Sequence, residues 1–352
     1  MDISVTTNQV NSLVTRPMDK SVGSQSNTGL PSVRGDITTN PQADYYQQAT
    51  DALQQLGYQV PLPKFREQVI STRLSDIADQ ERDLVRGLRS SRDKRSLLSR
   101  HVATPVEDGR GHISGVSDLI DNVHNGYQKK YGELVKASTK YMQVVNSGLG
   151  KMSSSLESAP EGKIKLFKHR MINTMNDTMS GYFINNNMVP AYSDVKTSPD
   201  TNSRTMSILD GIYRNNPDGD KNVMLEFLTP LIVFDSDGNS GEFWKKKLQG
   251  QGFVTIEHNG KTYIYPDMAP LHKIYTAMNE LIGREFGEIA ISAQIFQSFQ
   301  TAIDAQKNAI NSSVSRLLET FRQDNSHFDT LVQLLIQLIK DLNQNNNSLI
   351  NM

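Results

Sequence analysis

Two groups of residues in this sequence could do chemistry: one run of acidic and amide side chains, and the histidines. The segment DSDGNSGEFWKK begins like a calcium-binding EF-hand loop, because Asp235, Asp237 and Asn239 supply oxygen atoms at its first, third and fifth positions. Such a loop needs glycine at its sixth position and a bidentate glutamate at its twelfth, where this chain has Ser240 and Lys246. The pattern therefore favours a surface turn rich in Asp, Gly, Asn and Ser over a calcium site.

The histidines do not form a recognisable catalytic or metal-binding motif. No two of the 7 histidines are spaced as in the HExxH zinc motif, and the chain has no cysteine for a CxxC pair. The sequence also lacks the GxSxG, P-loop and GxGxxG motifs. We therefore expect no enzymatic activity, no cofactor and no metal. A pocket with coupled carboxylates or histidines in the middle of the chain would favour an enzyme instead.

The charge balance argues against nucleic acid as a partner. The 352 residues include 37 Lys and Arg against 38 Asp and Glu, for a net charge of −1. The N-terminal stretch MDISVTTNQVNSLVTRPMDK has no apolar run behind a basic start, so we expect no Sec signal peptide. No window approaches the roughly 18–20 apolar residues of a membrane span.

The N-terminal third predicts a disordered segment followed by a helical hairpin. Residues 1–40 are rich in Ser, Thr, Asn and Gln and predict disorder. Residues 41–104 predict two helices separated by Pro61 and Pro63, the second running from Lys64 to about His101. Its basic residues between 82 and 100 are interpreted as a solvated helix face rather than a nucleic-acid or lipid patch, because no aromatic residues are interleaved with them.

Two later segments carry the seven-residue apolar repeat of coiled coils. The first, residues 115–157, has the candidate core residues Ile120, Tyr127, Leu134 and Tyr141. The second, residues 288–344, has neither Gly nor Pro, and its candidate core residues are Ile303, Ile310 and Leu317. We expect the two helices to pair within one chain and in antiparallel orientation.

The segment between the two coil helices, residues 160–285, predicts a small mixed α/β insert. Residues 253–265 alternate as two strands around Asn259-Gly260, the residue pair of a type I′ hairpin turn, and residues 231–234 form a third candidate strand. The predicted fold class is therefore mainly α: a long antiparallel intramolecular coiled coil with an N-terminal helical hairpin and a small mixed α/β insert. We expect a rod with the insert at one end.

The two coil helices differ in length, which predicts an uncovered apolar strip. If Leu156 lies near Glu288, then Ile120 lies near Asp324, and residues 328–342, called the overhang below, extend past the first helix. An exposed strip of this kind usually marks an interaction site, so either the N-terminal hairpin or a partner protein should cover it. The candidate contact residues for that partner or for the hairpin are Phe321, Phe328, Leu331, Leu335 and Leu338.

Three stretches resemble one known family. FQTAIDAQKNAINSSVSRLLETFRQDNSHFDTLVQLL, with the SxFDxLV core at 326–332, resembles the C-terminal helix of the IpaD/SipD/BipD type III secretion needle-tip proteins. YGELVKASTKYMQVV resembles the other arm of their coiled coil, and EFWKKKLQGQGFVTIEHNGKTYIYPDMAPLHKIY resembles their strand region. After Leu335 the Asn-rich tail departs from the family pattern, so needle contacts are not transferred residue by residue there.

The resemblance implies a secreted, non-enzymatic virulence protein at the tip of an injectisome needle. It implies an export signal in the N-terminal segment, a hairpin that acts as a self-chaperone, and a pentameric homo-oligomer. The implied partners are the needle subunit, hydrophobic translocator proteins and bile salts, and the resemblance places no bile-salt pocket on numbered positions. A secreted coiled-coil effector or scaffold with other partners is the alternative that the coil pattern leaves open.

Overall fold

The structure is a computed structural model, and it describes residues 40, 45–55, 57–60, 70–102, 121, 123–184, 201–214, 216–236, 240–280 and 288–350. Residues 1–39 of the predicted disordered segment, the prolines at 61 and 63, and Ile120 lie outside these ranges. No helix within them combines the length and apolar content that crossing a bilayer requires.

The described chain is dominated by helices, with two small sheets. The helices are α1 (Tyr45–Gln55), α2 (Leu74–Val102), α3 (Lys130–Lys151), α4 (Lys168–Met179), α5 (Thr201–Tyr213), α6 (Lys221–Phe227), α7 (Ser240–Leu248), α8 (Ala269–Glu280) and α9 (Ala293–Ile350). The strands are β1 (Leu156–Ser158), β2 (Ile164–Phe167), β3 (Ile232–Asp235), β4 (Phe253–His258), β5 (Lys261–Pro266) and β6 (Glu288–Ile291). A π-helical turn at His124–Lys129 leads directly into α3, and we call residues 124–151 the first arm.

The first arm and α9 form the predicted antiparallel coil. Residue numbers rise along one helix and fall along the other: the Tyr127 hydroxyl donates to Asp324 Oδ2 at 2.8 Å, and Asn146 Nδ2 donates to Asn311 Oδ1 at 2.9 Å. The predicted core residues of both arms that fall in the described ranges are buried, namely Tyr127, Leu134, Tyr141, Ile303, Ile310 and Leu317. The mainly α fold class with a long intramolecular coil is confirmed.

The register of the coil differs from the expected one by one to nearly two heptads. Asp324 faces Tyr127, seven residues (127 − 120) beyond the expected partner Ile120, and Asn311 contacts Asn146, thirteen residues (146 − 133) beyond the expected partner Glu133. The expectation took Leu156 and Glu288 as the inner ends of the coil, but these residues begin β1 and β6. Because the apolar repeat is also seven residues, a shift close to whole heptads brings different residues together but still sets seam positions against seam positions.

The strands that end the two arms were not predicted. Strand β2 lies between β1 and β6 in an antiparallel sheet, with Leu156 opposite Leu166 and Ile164 opposite Ile291. The helices therefore end at Lys151 and begin at Ala293, so the predicted coil ends at 157 and 288 are wrong. Strands of three and four residues are too short to show an alternating pattern in the sequence.

The second sheet agrees with the sequence. Strands β4 and β5 form the predicted hairpin, and Asn259 and Gly260 between them have φ values of 50° and 70°, as a type I′ turn requires. Strand β3 pairs with the other edge of β5, which gives the order β3-β5-β4.

The insert lies beside the coil and not at its end as expected. Helix α7 packs its Trp244 side chain into the coil, and that side chain is only 1% exposed. Lys247 Nζ lies 2.5 Å from Asp324 Oδ2, and Arg316 Nη1 donates to the Gly250 carbonyl at 3.3 Å. Burial of a large aromatic side chain is the physical reason for this placement, since the sheet and α7 alone could not enclose it.

Helix α2 lies along α9 in parallel orientation. Asn311 Nδ2 donates to the Thr72 carbonyl at 2.9 Å near the start of α2. Further along, a Cβ added to Gly87 would lie 3.7 Å from Asn325 Nδ2. From the first contact to the second, the residue numbers rise in both helices, so α2 and α9 are parallel. Helix α2 therefore covers the face of α9 that the first arm leaves open. Helix α1 also packs on α9, and both predicted hairpin helices therefore contact the long C-terminal helix.

Helix α2 begins later than its apolar pattern predicts. The expected start at Lys64 lies outside the described residues, but residues 70–73 are described and are not helical. The Ser71 amide donates to Ser315 Oγ at 3.0 Å, so this segment is hydrogen-bonded to α9 before α2 starts. Ser71 Oγ also donates to Asp76 at 2.9 Å and accepts from the Arg73 amide at 3.1 Å, which organises the first turn.

Candidate functional site

The five candidate contact residues fall into two groups. Phe321 and Phe328 lie where the first arm ends: Phe321 packs edge-on against Tyr131 with ring centroids 4.2 Å apart, and Phe328 lies 4.5 Å from Tyr127. The register shift places both phenylalanines against the first arm, so Phe328, the first residue of the expected overhang, is covered by the coil itself.

The other three candidate residues lie further along the overhang and are also buried. Leu331, Leu335 and Leu338 are 0%, 0% and 3% exposed, although the first arm does not reach them. Helix α1 packs on α9 and buries its own apolar face, which includes Ala49 and Leu53. The overhang is therefore covered within the monomer at least partly by α1. The role of these residues as needle contacts stays a prediction.

One polar contact fixes the end of α1 to the overhang. The Tyr58 hydroxyl donates to Asp341 Oδ2 at 2.6 Å, and Gln337 Nε2 donates to Asp341 Oδ1 at 2.7 Å. Burial, followed by the hydrogen bond to Asp341, raises the pKa of Tyr58 well above its usual value. The phenol therefore stays protonated and remains a donor at neutral pH.

An aromatic cluster joins the coil to the insert next to the overhang. Trp244 stacks on Tyr127, with ring centroids 5.5 Å apart and planes 17° apart, and it also contacts Tyr131 at 5.5 Å. Burial raises the pKa of Tyr131 well above its usual value. The cluster makes this junction the most aromatic part of the coil, and aromatic pairs of this geometry add about 0.5–1.5 kcal/mol each beyond burial.

Polar side chains inside the coil fix its register. Asp324, which interrupts the apolar string, receives both the Tyr127 hydroxyl and the Lys247 ammonium group. Gln128 Nε2 donates to Asn325 Oδ1 at 2.9 Å, and both side chains are buried. Buried polar pairs of this kind disfavour other registers, because a shifted helix would leave them unsatisfied. The sequence contained a signal for this polar contact, because a charged side chain at a seam position, such as Asp324, requires a polar partner.

The run of acidic and amide residues that first suggested chemistry is only partly described. Asp235 ends β3 and Ser240 begins α7, while Asp237 and Asn239 lie outside the described residues. Within the described ranges, no group of three or more His, Asp or Glu side chains is placed to hold a metal ion. The candidate functional site is therefore a binding surface, the overhang with its cover.

Solved structures with a similar fold include those of BipD from Burkholderia pseudomallei. One, a near-atomic resolution analysis, shares 17% identity, covers 78% of this chain and 82% of BipD, and has a TM-score of 0.51. A second shares 17% identity over 77% of this chain and 82% of BipD, also at 0.51. A third, at 18% identity and 80% and 86% coverage, has a TM-score of 0.49.

BipD is described as a component of the type III secretion system and as an invasion protein associated with it. No protein-family model matches this chain. No curated protein matches it by sequence either. At 17% identity the likeness establishes the fold. The chain therefore has the fold of BipD, and this likeness supports the resemblance to the IpaD/SipD/BipD family seen in its sequence.

Proposed function

We propose that this chain is the needle-tip protein of a type III secretion injectisome. It is secreted by that system, stays on the bacterial surface at the needle tip, and caps the needle to control secretion. On host contact it serves as the platform for translocator proteins during invasion. The observation that carries the proposal is the fold shared with BipD over 78% of the chain.

The proposed partners are the needle subunit, the hydrophobic translocator proteins and further copies of the chain in a pentameric tip. Bile salts are the proposed small-molecule ligands and act as a host cue. We assign the needle subunit to the overhang. Leu331, Leu335 and Leu338 are buried there, α1 packs on the same helix, and the Tyr58–Asp341 hydrogen bond ties the segment after α1 to it. Displacing α1 would expose an apolar strip for the needle subunit, which is how a self-chaperone would work. The chain acts by binding, without catalysis.

The test is to add the purified chain to isolated type III needles from the same source and to locate it with gold-labelled antibody. We expect gold at the needle tips only. Label on host cytoplasm after infection, and none on needles that accept another tip protein, would favour a secreted coiled-coil effector or scaffold instead.

A further inference from the structure

A second surface, away from the overhang, combines exposed apolar and basic side chains. Five large apolar side chains of the described residues are clearly exposed, and three of them lie at α2: Ile70, Leu74 and Val85, at 41%, 42% and 40%. Leu74 and Val85 are eleven residues apart (85 − 74), which at about 100° per residue places them within about 20° on the helix. They form one line along α2, next to its buried face.

The first arm lies directly beside this line. A Cβ added to Gly132 would lie 3.0 Å from Leu88 Cδ1, so the two helices are in contact at this point. Burial raises the pKa of Glu81, and the neighbouring Lys136 ammonium group opposes that shift. Residues 88 and 81 of α2 thus face residues 132 and 136 of the first arm, and the two helices are antiparallel.

The facing side of the first arm is basic. Lys129, Lys136 and Lys140 are exposed on one helical face, at spacings of seven and four residues, with Glu133 as the one exposed acid between them. The two helices therefore bound a groove about 20 Å long, from Leu74 to Leu88, at 1.5 Å per residue. One wall of this α2–α3 groove is the apolar line of Leu74 and Val85, and the other is the lysine stripe.

We propose that the α2–α3 groove docks an acidic amphipathic helix of another protein. Such a helix would lay its apolar stripe on Leu74 and Val85 and direct its carboxylates at Lys129 and Lys140, since Lys136 already lies beside Glu81 of α2. This is the helix-in-groove mode with charge complementarity on one side. This surface is separate from the overhang and does not depend on the proposed tip function.

The chain's own described helices do not offer that complement. The two other clearly exposed large apolar residues are Val233, on a strand, and Ile295, on α9. The exposed Asp304 of α9 lies nine residues from Ile295, which at about 100° per residue is the opposite side of the helix. Residues 1–40 carry three acids and three bases and so have no acidic bias. The charge argument therefore favours a different protein over a second copy.

The test uses the full chain and a synthetic probe. A fluorescein-labelled stapled helix of about five turns carries one leucine stripe flanked by glutamates, and its control has lysines in place of the glutamates; binding is read by fluorescence polarisation. We expect only the acidic helix to bind, more weakly as salt rises. Lys129→Glu with Lys140→Glu should weaken binding about tenfold, from two screened charge contacts. Leu74→Asp with Val85→Asp should weaken it at least as much.

Two matched variants control for charge and surface effects elsewhere. Lys246→Glu on α7 and Ile295→Asp on α9 change equally exposed residues outside the groove and should leave affinity within about twofold. Equal binding of the lysine helix, or unchanged affinity in the groove variants, would overturn the proposal. The proposal would also be overturned if light scattering showed that the parent chain is a dimer and the Val85→Asp variant a monomer, because the groove would then bind a second copy of the chain.

Discussion

Replacing Asp324 with leucine tests how the coil and the insert are held together. A heptad argument alone predicts that Leu would strengthen the coil, because Asp324 interrupts an apolar string. The structure predicts the opposite, because the Asp324 carboxylate accepts from the Tyr127 hydroxyl at 2.8 Å and lies 2.5 Å from Lys247 Nζ. The variant would leave both partners in place without their acceptor.

The size of the effect follows from these contacts. The hydrogen bond from Tyr127 to a charged acceptor contributes about 1.5 kcal/mol. The Lys247 and Asp324 side chains are 24% and 17% exposed, so their pair is partly screened. We estimate its loss at about 1–2 kcal/mol, below the fully buried case. The new leucine recovers about 1 kcal/mol by burial. When these contributions are combined, Asp324→Leu should lower the free energy of unfolding by about 2 kcal/mol.

Urea unfolding followed by tryptophan fluorescence measures this change. The chain has one tryptophan, Trp244, and it stacks on Tyr127, so the signal reports the junction directly. Asp304→Leu is the matched control, since it makes the same substitution at an exposed site on the same helix and should change stability by less than about 0.5 kcal/mol.

A compensated variant separates the pairing argument from simple packing. Asp324→Leu combined with Lys247→Met and Tyr127→Phe removes all three polar groups, and its stability should return to within about 1 kcal/mol of the parent. If Asp324→Leu alone were as stable as the parent chain, or more stable, the polar junction would not hold the insert to the coil.

The remaining predictions concern the cover and the backbone. Tyr58→Phe removes the hydrogen bond to Asp341 and should cost about 1 kcal/mol, seen as faster amide exchange in residues 331–339 without loss of overall helicity. Gly252→Ala should lower the thermal midpoint of unfolding, because Gly252 has φ +86° and the added Cβ would collide with Ser313 Oγ. An unchanged midpoint would contradict the close approach of this turn to α9. Gly150→Ala has open space and a helical backbone, and should instead raise stability by up to about 1 kcal/mol in the same melting assay.

Local patterns in the sequence predicted the elements whose structure is locally determined. The heptads predicted both coil helices, because burial along a helix repeats every 3.5 residues in a coil. The Asn259-Gly260 pair predicted the β4–β5 hairpin, because both residues tolerate positive φ. The short sheet that ends the coil was missed because β2 pairs with β6 across more than a hundred residues, as Ile164 does with Ile291, and no local pattern encodes that contact.

The candidate site was partly predictable for the same reason. The seam residues Leu331, Leu335 and Leu338 follow from the repeat, but what covers them does not. The contact of Tyr58 with Asp341 joins residues 283 positions apart and depends on how α1 packs. The placement of Trp244 against the coil likewise depends on tertiary packing, and only the unusual seam position of Asp324 signalled that a polar partner lies there.

We propose above all that α1 covers the overhang in the free chain and is displaced from it when the overhang binds the needle. Hydrogen–deuterium exchange of the full chain, alone and bound to isolated needles, tests it most directly. We expect residues 331–339 to be protected in both states and α1 to be protected only in the free chain. Protection of α1 that persists on needles, or rapid exchange of residues 331–339 in both states, would contradict the account.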